Sequence, residues 1–231
     1  MRSLILCFSS FIVPTDPNKS RMEEYAICYE QLKRICPSNF DTIFIDNTIE
    51  CKAQITNQRL VSAIGDTTFI FYNRNIGLVN KGLGELDMMV AAEEKFDFDQ
   101  YSKIVYLTGR KFITCPYVFD RTNNCDSEIL VGNQPIINPI TGGIYPMGTQ
   151  MFGDMFFAMS PEKMKKYCKY AKSKLTSINS IQIGSEQILF SFIKENDYSY
   201  ENIEHLGFVR NDWAMVNPYI YSRRPENLQV V

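Results

Sequence analysis

The chain has 231 residues, 45% of them hydrophobic and 22% charged, with a formal net charge of −2. That is enough apolar side chain for one sizeable core, and the slightly negative balance excludes the general basic field of a protein that coats nucleic acid. Seven cysteines without a CxxC pair argue against a disulfide framework or a structural zinc site, and the single histidine, His205, excludes a multi-histidine metal centre within one chain. The setting expected from this cysteine usage is the reducing cytoplasm.

The first predicted element is SLILCF, residues 3–8, whose unbroken apolar character is that of a buried strand. It is too short for a signal peptide or a membrane span, so any membrane contact would be peripheral. SSFIVPTDPNKS follows as a long polar turn with two prolines. RMEEYAICYEQLKRIC then places Met22, Tyr25, Ala26, Tyr29, Leu32 and Ile35 at helical spacing, and FDTIFID reads as a second strand. This β-loop-α-β opening predicts a Rossmann-like unit, while the absence of GxGxxG disfavours a classical dinucleotide site.

TTFIFYN reads as a third strand, RNIGLVNKGLGE as a glycine-rich connector, LGELDMMVAAEEKF as a helix and KIVYL as the next strand. Residues 122–148 are rich in Asn, Gly and Pro and read as a flap of loops and short strands. MFFAM is a further strand. SPEKMKKYCKYAKSKL opens a helix with Ser160 as N-cap, Pro161 at the first position and Glu162 in the first turn. GSEQILFSFIKEN is the last helix, and HLGFVRNDW a loop. No repeat or linker divides the chain, so one domain over residues 1–231 is expected.

The chemistry concentrates at strand ends and helix starts. KIVYL ends on Thr108-Gly109-Arg110, a small cationic turn where open α/β sheets place their ligands. The planar fork of Arg110 suits phosphate oxygens, with Thr108 and backbone N–H groups assisting. In NKGLGE, two glycines at a helix start let backbone approach an anion, and Lys81 adds charge. Asp154, set among aromatic residues in MFGDMFFAMS, needs a partner or a purpose and is a candidate general base; Glu186, in the first turn of the GSEQ helix, is the alternative base. His205, Gly207, Arg210 and Trp213 fall close together near the C-terminus, where Arg210 is the phosphate candidate and His205 a metal candidate. No GxSxG, HExxH or Walker-type lysine loop is present.

The order LILCFSS, NKGLGE, KIVYLTGR, FGDMFFAMSPEKM, GSEQILFSFI, HLGFVRNDW resembles glycosyltransferases of the GT-A fold, and the strand followed by Thr-Gly-Arg looks like a bacterial and viral subset that includes WavE-type lipopolysaccharide-synthesis proteins. The resemblance implies an α/β fold: a single GT-A-like domain whose central mixed, mostly parallel sheet is flanked by helices. It implies a nucleotide-sugar-binding half in residues 1–120 and an acceptor-binding half in 121–231. It also implies transfer of a sugar from a nucleotide-diphosphate sugar to a hydroxyl of a glycan, glycolipid or glycoprotein, as in polysaccharide biosynthesis.

Such transferases hold Mn²⁺ or Mg²⁺ on an acidic DxD, whereas Leu107-Thr108-Gly109-Arg110 has no carboxylate, which leaves the metal requirement open and offers Arg110, with Lys81 or Arg210, as the replacement charge. The tail is loosely similar to the HxGxxKPW tail of glycogenin-type enzymes, matching His205, Gly207 and Arg210. On this reading Ser9 and Ser10 hold the nucleotide, Arg21 is a further phosphate contact, and Gly142, Gly143 and Tyr145 face the acceptor. Two other readings stand beside it: a nucleotidyltransferase, and a non-catalytic nucleotide-sugar-binding scaffold on a degenerate transferase fold.

Overall fold

The structure is a computed structural model that describes residues 1–12, 21–73, 81–132, 156–177, 184–203 and 208–210. Its centre is a seven-stranded sheet built from β1 (Ser3–Ser9), β2 (Phe40–Asp46), β3 (Thr68–Ile70), β4 (Ile104–Thr108), β6 (Ile129–Gly132), β7 (Phe156–Met159) and β8 (Tyr200–Ile203), in the order β3-β2-β1-β4-β7-β6-β8. The strands are parallel except β7, which runs against both β4 and β6. A second small sheet pairs β5 (Lys111–Ile113) with β9 (Phe208–Arg210) antiparallel. This is the expected α/β class with a mixed, mostly parallel sheet.

Alternation along each strand divides the core into two layers. Ile5, Cys7, Val105, Leu107, Phe156 and Ala158 face one side. They pack there against α1 (Arg21–Ile35), α2 (Gln58–Ile64) and α4 (Tyr117–Asn123) through Tyr25, Tyr29, Leu32, Leu60, Val118 and Phe119. Leu4, Leu6, Phe8, Ile104, Tyr106, Phe157 and Met159 face the other side. Their partners are α3 (Lys81–Lys95), α5 (Pro161–Ser177) and α6 (Ser185–Glu195). Both faces of the central strands are therefore dry, which is why β1 and β4 read as unbroken apolar runs. Helices on both faces make the three-layer arrangement of open α/β domains.

Several expected elements take a different form. The stretch 122–148, expected as a flap of loops and short strands, contributes β6, which is a core strand fully buried between β7 and β8, while residues 133–148 lie outside the described residues. The glycines of NKGLGE are not a connector, because Gly82 and Gly84 lie inside the first turn of α3. HLGFVRNDW is not wholly a loop, since Phe208–Arg210 pair with β5. The expected strand TTFIFYN narrows to Thr68–Ile70. Ser160 caps α5 as expected, its Oγ accepting from Lys163 N–H at 3.4 Å.

Candidate functional site

The chain order reverses between β1 and β4: β2 and β3 lie on one side of β1, and β4 on the other. In such sheets the crevice opens at the carboxyl ends of those two strands. Here Phe8 stands opposite Thr108, and the turn after β4 folds back onto β1. Gly109 N–H donates to the Phe8 carbonyl at 2.7 Å. A Cβ on Gly109 would lie 2.5 Å from Tyr29 Oη, 2.7 Å from the Phe8 carbonyl oxygen and 3.0 Å from Tyr25 Cε1. The glycine is thus dictated by packing within the protein.

Arg110 leaves this fixed turn toward α1, where its Nη1 lies 3.3 Å from Glu24 Oε2. Beside it, Tyr25 Oη accepts from Ser10 N–H at 2.8 Å. Burial pushes the Tyr25 phenol above its ordinary value, while the positive charges of Arg110 and Arg21 pull the other way. Ser10, Arg21, Gly109 and Arg110 are thereby brought together around one tyrosine. Ser9 is in the same loop, but it is buried and its hydroxyl donates to the Ile45 carbonyl at 2.6 Å, tying β1 to β2. Its predicted nucleotide contact gives way to this internal bond. Thr108 is likewise almost covered, at 9% exposure.

The loops that frame the crevice hang on Asp46, at the end of β2. Its carboxylate is fully buried and accepts from Phe11 N–H (2.8 Å), Thr48 N–H (2.6 Å), Thr48 Oγ1 (2.7 Å) and Ile49 N–H (3.2 Å). Thr48 Oγ1 also lies 3.0 Å from Ile12 N as its acceptor, extending the hold on the β1 loop. Burial raises the Asp46 carboxyl above its ordinary value, opposed by these hydrogen bonds. The sequence reading did not single out Asp46, although the argument applied to Asp154, a carboxylate where an apolar strand meets a loop, fits FIDNT equally.

The start of α3 is anchored over the same edge. Asn47 Nδ2 donates to the Gly84 carbonyl at 3.3 Å, Asn73 Nδ2 to Asp87 Oδ2 at 2.8 Å, and Tyr106 Oη to Glu85 Oε2 at 2.7 Å. Side chains from β4 and from the segments after β2 and β3 thus pin the first turns of a 15-residue helix, and with them the Lys81 backbone, near the carboxyl edge. A helix start carries unsatisfied N–H groups and a positive dipole end.

Beyond Tyr106 lies a small cavity with room for about one water molecule, lined by Glu85, Leu86, Met89, Tyr106, Phe157, Tyr167, Ser185, Glu186 and Leu189. Its walls are apolar and aromatic, with Tyr106 stacked between Phe8 at 4.8 Å and Phe157 at 4.7 Å. Two carboxylates reach it, Glu85 from α3 and Glu186 from the first turn of α6. Burial raises the Tyr167 phenol, and the neighbouring Glu186 and Glu85 carboxylates add to that.

Lys111 stands opposite Arg210 in the small sheet, so the backbone of the C-terminal candidate runs beside the residue that follows Arg110. Asp154, Gly142, Gly143, Tyr145 and His205 lie outside the described residues. Among the described residues no group of three or more His, Cys, Asp or Glu side chains is placed to hold a metal ion. The turn itself does not fit a divalent ion: Thr108, Gly109 and Arg110 bring no carboxylate, and the nearby Glu24 is engaged with a guanidinium. No helix among the described residues is long and apolar enough to cross a membrane.

No protein-family model matches the chain, and no curated protein matches it in sequence. Solved structures do match in fold. A protein assigned as a nucleotide-diphospho-sugar transferase from Desulfovibrio desulfuricans G20 superposes with a TM-score of 0.57 at 12% identity, over 94% of this chain and 88% of that one. The 4-diphosphocytidyl-2C-methyl-D-erythritol synthase of Anaerococcus prevotii DSM 20548 superposes with a TM-score of 0.56 at 11% identity, over 95% and 96%. The fold is therefore the GT-A-like fold of nucleotide-diphospho-sugar transferases.

Proposed function

We propose that the chain is a glycosyltransferase that moves a sugar from a nucleotide-diphosphate sugar to a hydroxyl of a glycan, glycolipid or glycoprotein. The observation that carries this is the meeting of Ser10, Arg21 and Arg110 at the carboxyl ends of β1 and β4, in the crevice where this sheet reverses direction. Arginine at that point supplies bidentate donors and a permanent charge for a diphosphate. As the bond from the sugar carbon to the diphosphate oxygen breaks, charge grows on the leaving group, and Arg110 with Arg21 stabilises it there. Lys81 and Arg210 are the further cations of this reading, and Thr108-Gly109-Arg110 takes the place that DxD holds elsewhere, as in the WavE-type subset.

The acceptor oxygen forms the new bond to the sugar carbon while its proton passes to a carboxylate. Glu186 is one candidate for that role, because it borders the cavity with largely apolar walls beyond Tyr106. Asp154 is the other. Residues 1–120 form the nucleotide-sugar half in this reading and 121–231 the acceptor half, with Gly142, Gly143 and Tyr145 facing the acceptor and His205 the remaining metal candidate.

Thermal shifts with UDP, GDP, CMP, dTDP and their sugars, each with Mn²⁺ and with EDTA, test the reading. A ligand at 100 times its dissociation constant adds about 2.7 kcal/mol. The expected result is one nucleotide class that stabilises the fold in EDTA; no shift with any would sink the proposal. Turnover then separates the bases: loss of the true base costs about 10²–10⁴-fold with nucleotide-sugar binding intact, so Glu186→Gln and Asp154→Asn are compared directly.

A second reading keeps a specific support. One of the two superposed proteins is a synthase of a diphosphocytidyl compound, so a nucleotidyltransferase shares this architecture. Release of pyrophosphate from a nucleoside triphosphate would favour it.

A further inference from the structure

Glu24 carries an acidic charge into the crevice at the point where the proposed function needs an anion to bind. It sits in the first turn of α1, and its side chain and that of Arg110 are only 20% and 21% exposed, with Nη1 3.3 Å from Oε2. The pair cannot separate by retreat of the turn, because Gly109 is locked on the Phe8 carbonyl and against Tyr25 and Tyr29. Nor can the first turn of α1 move away freely, since the buried Tyr25 beside Glu24 holds the Ser10 N–H. Arg21 lies three residues before Glu24 and four before Tyr25, on the same helical face. The crevice thus gathers two cations and an anion, Arg110, Arg21 and Glu24, around Tyr25.

We propose that Glu24 is a specificity-determining residue, an internal counter-ion that competes for Arg110 and so biases the crevice toward diphosphates over single phosphates. A lone phosphate at Arg110 meets the Glu24 carboxylate at close range, where like-charge repulsion offsets much of the attraction. A diphosphate has a second charged group that reaches past Glu24 toward Arg21, so its net attraction survives. This rests on the reading that the crevice binds the diphosphate of a nucleotide sugar, and it goes further by making the acid a selector within that crevice. Such a selector holds a nucleotide-diphosphate sugar in the presence of competing ligands that carry one phosphate.

The probes are inorganic pyrophosphate and inorganic phosphate, titrated by calorimetry into the full chain and into Glu24→Gln, Glu24→Asp, Arg110→Gln and the Glu24→Gln/Arg110→Gln double variant. The wild type is expected to bind pyrophosphate more tightly than phosphate. Glu24→Gln should tighten phosphate by about three- to tenfold, the size of a partly exposed charge interaction, and pyrophosphate by less. Glu24→Asp keeps the charge and should keep the wild-type preference. In the Arg110→Gln background the Glu24→Gln gain should vanish.

Unchanged or weakened phosphate binding in Glu24→Gln overturns the inference, as does a gain that persists without Arg110. Pyrophosphate binding that depends on Arg110, together with phosphate binding that ignores Glu24, sinks the selector alone and leaves the crevice standing. Binding of neither probe to the wild type and to Glu24→Gln removes the crevice reading and the selector together.

Discussion

Asp46 and Arg59 are the centres of two hydrogen-bonded charge networks that look alike in geometry and differ in what they do. Asp46 accepts four bonds of 2.6 to 3.2 Å from the loops after β1 and β2. Arg59, on α2, donates from Nε and Nη2 to Glu30 at 2.8 and 2.6 Å and from Nη1 to Glu23 at 2.6 Å, while Asn57 Nδ2 donates to the same Glu23 at 2.8 Å. The Asp46 carboxylate is fully buried, with Thr48 beside it half-buried; the charged side chains of the second network are 42 to 46% exposed. Distance therefore does not rank them. In the interior, each lost partner leaves a donor that water cannot reach, whereas at the surface water takes the vacated place at little cost.

The sharpest way to break the comparison is Asp46→Asn, which keeps one acceptor oxygen and points an amide N–H₂ at backbone donors. The expected loss is about 3 kcal/mol in urea unfolding, the cost of buried donors left without acceptors plus a bond to a charged group. The pH dependence carries a sign. Burial raises the folded Asp46 carboxyl above its unfolded value of about 3.9, so its contribution is fully present below that pH and is lost as pH rises through the folded value. The stability gap between wild type and Asp46→Asn should narrow as pH rises from about 4. A loss under about 1 kcal/mol, or a gap that widens with pH, would show that burial does not set the energetics at this site.

The same distinction governs what could be read from the residues alone. β1, α1, β4, α5 and α6 were legible because burial on both strand faces writes a continuous apolar run, and burial on one helix face writes a spacing of three and four. β6 was not legible. ILVG is only four residues long, and its burial comes from strands 25 and more positions away in the chain. β9 was hidden for the same reason, because its partner Lys111–Ile113 is nearly a hundred residues earlier.

At the site, Arg110 was legible as a cation ending a core strand, but Glu24 was not, since the two are 86 residues apart and nothing local to either one names the other. The internal bond of Ser9 was not legible either, since a hydroxyl after an apolar run looks available until the neighbouring strand offers it the Ile45 carbonyl. The spacing rules report which face of an element is dry, and they are silent about which distant polar atom meets it.

Gly109→Ala sharpens the comparison from a different side, because it disturbs full burial without touching a charge. The added methyl would meet the Phe8 backbone oxygen and the Tyr29 hydroxyl, and neither is the far end of a flexible side chain. Overpacking of this kind costs about 1–3 kcal/mol. The expected outcome is a loss of about 2 kcal/mol together with weaker pyrophosphate binding, since the strain falls on the turn that carries Arg110. Unchanged stability would mean that the turn has room to shift and that Arg110 is not held against Glu24.

Arg59→Ala is the smallest expected effect and the counterpart of the first. It removes three short hydrogen bonds at once, yet the loss should stay under about 1 kcal/mol, because exposed ion pairs are screened and pay side-chain entropy to hold their geometry. Its pH sign is opposite to that of Asp46. Hydrogen bonds from Asn57 and Arg59 hold Glu23 below its ordinary value, and Arg59 does the same for Glu30. For depressed carboxylates the stabilisation is present above the unfolded value of about 4.3 and is lost as pH falls through the folded ones. The gap between wild type and Arg59→Ala should therefore close on acidification and shrink in high salt, while the Asp46→Asn gap widens on acidification. Unfolding curves at pH 7 and pH 3, with and without 1 M salt, read both variants in one experiment; an Arg59→Ala loss of several kcal/mol that resists salt would mean that the surface network is stiffened by something its exposure does not reveal.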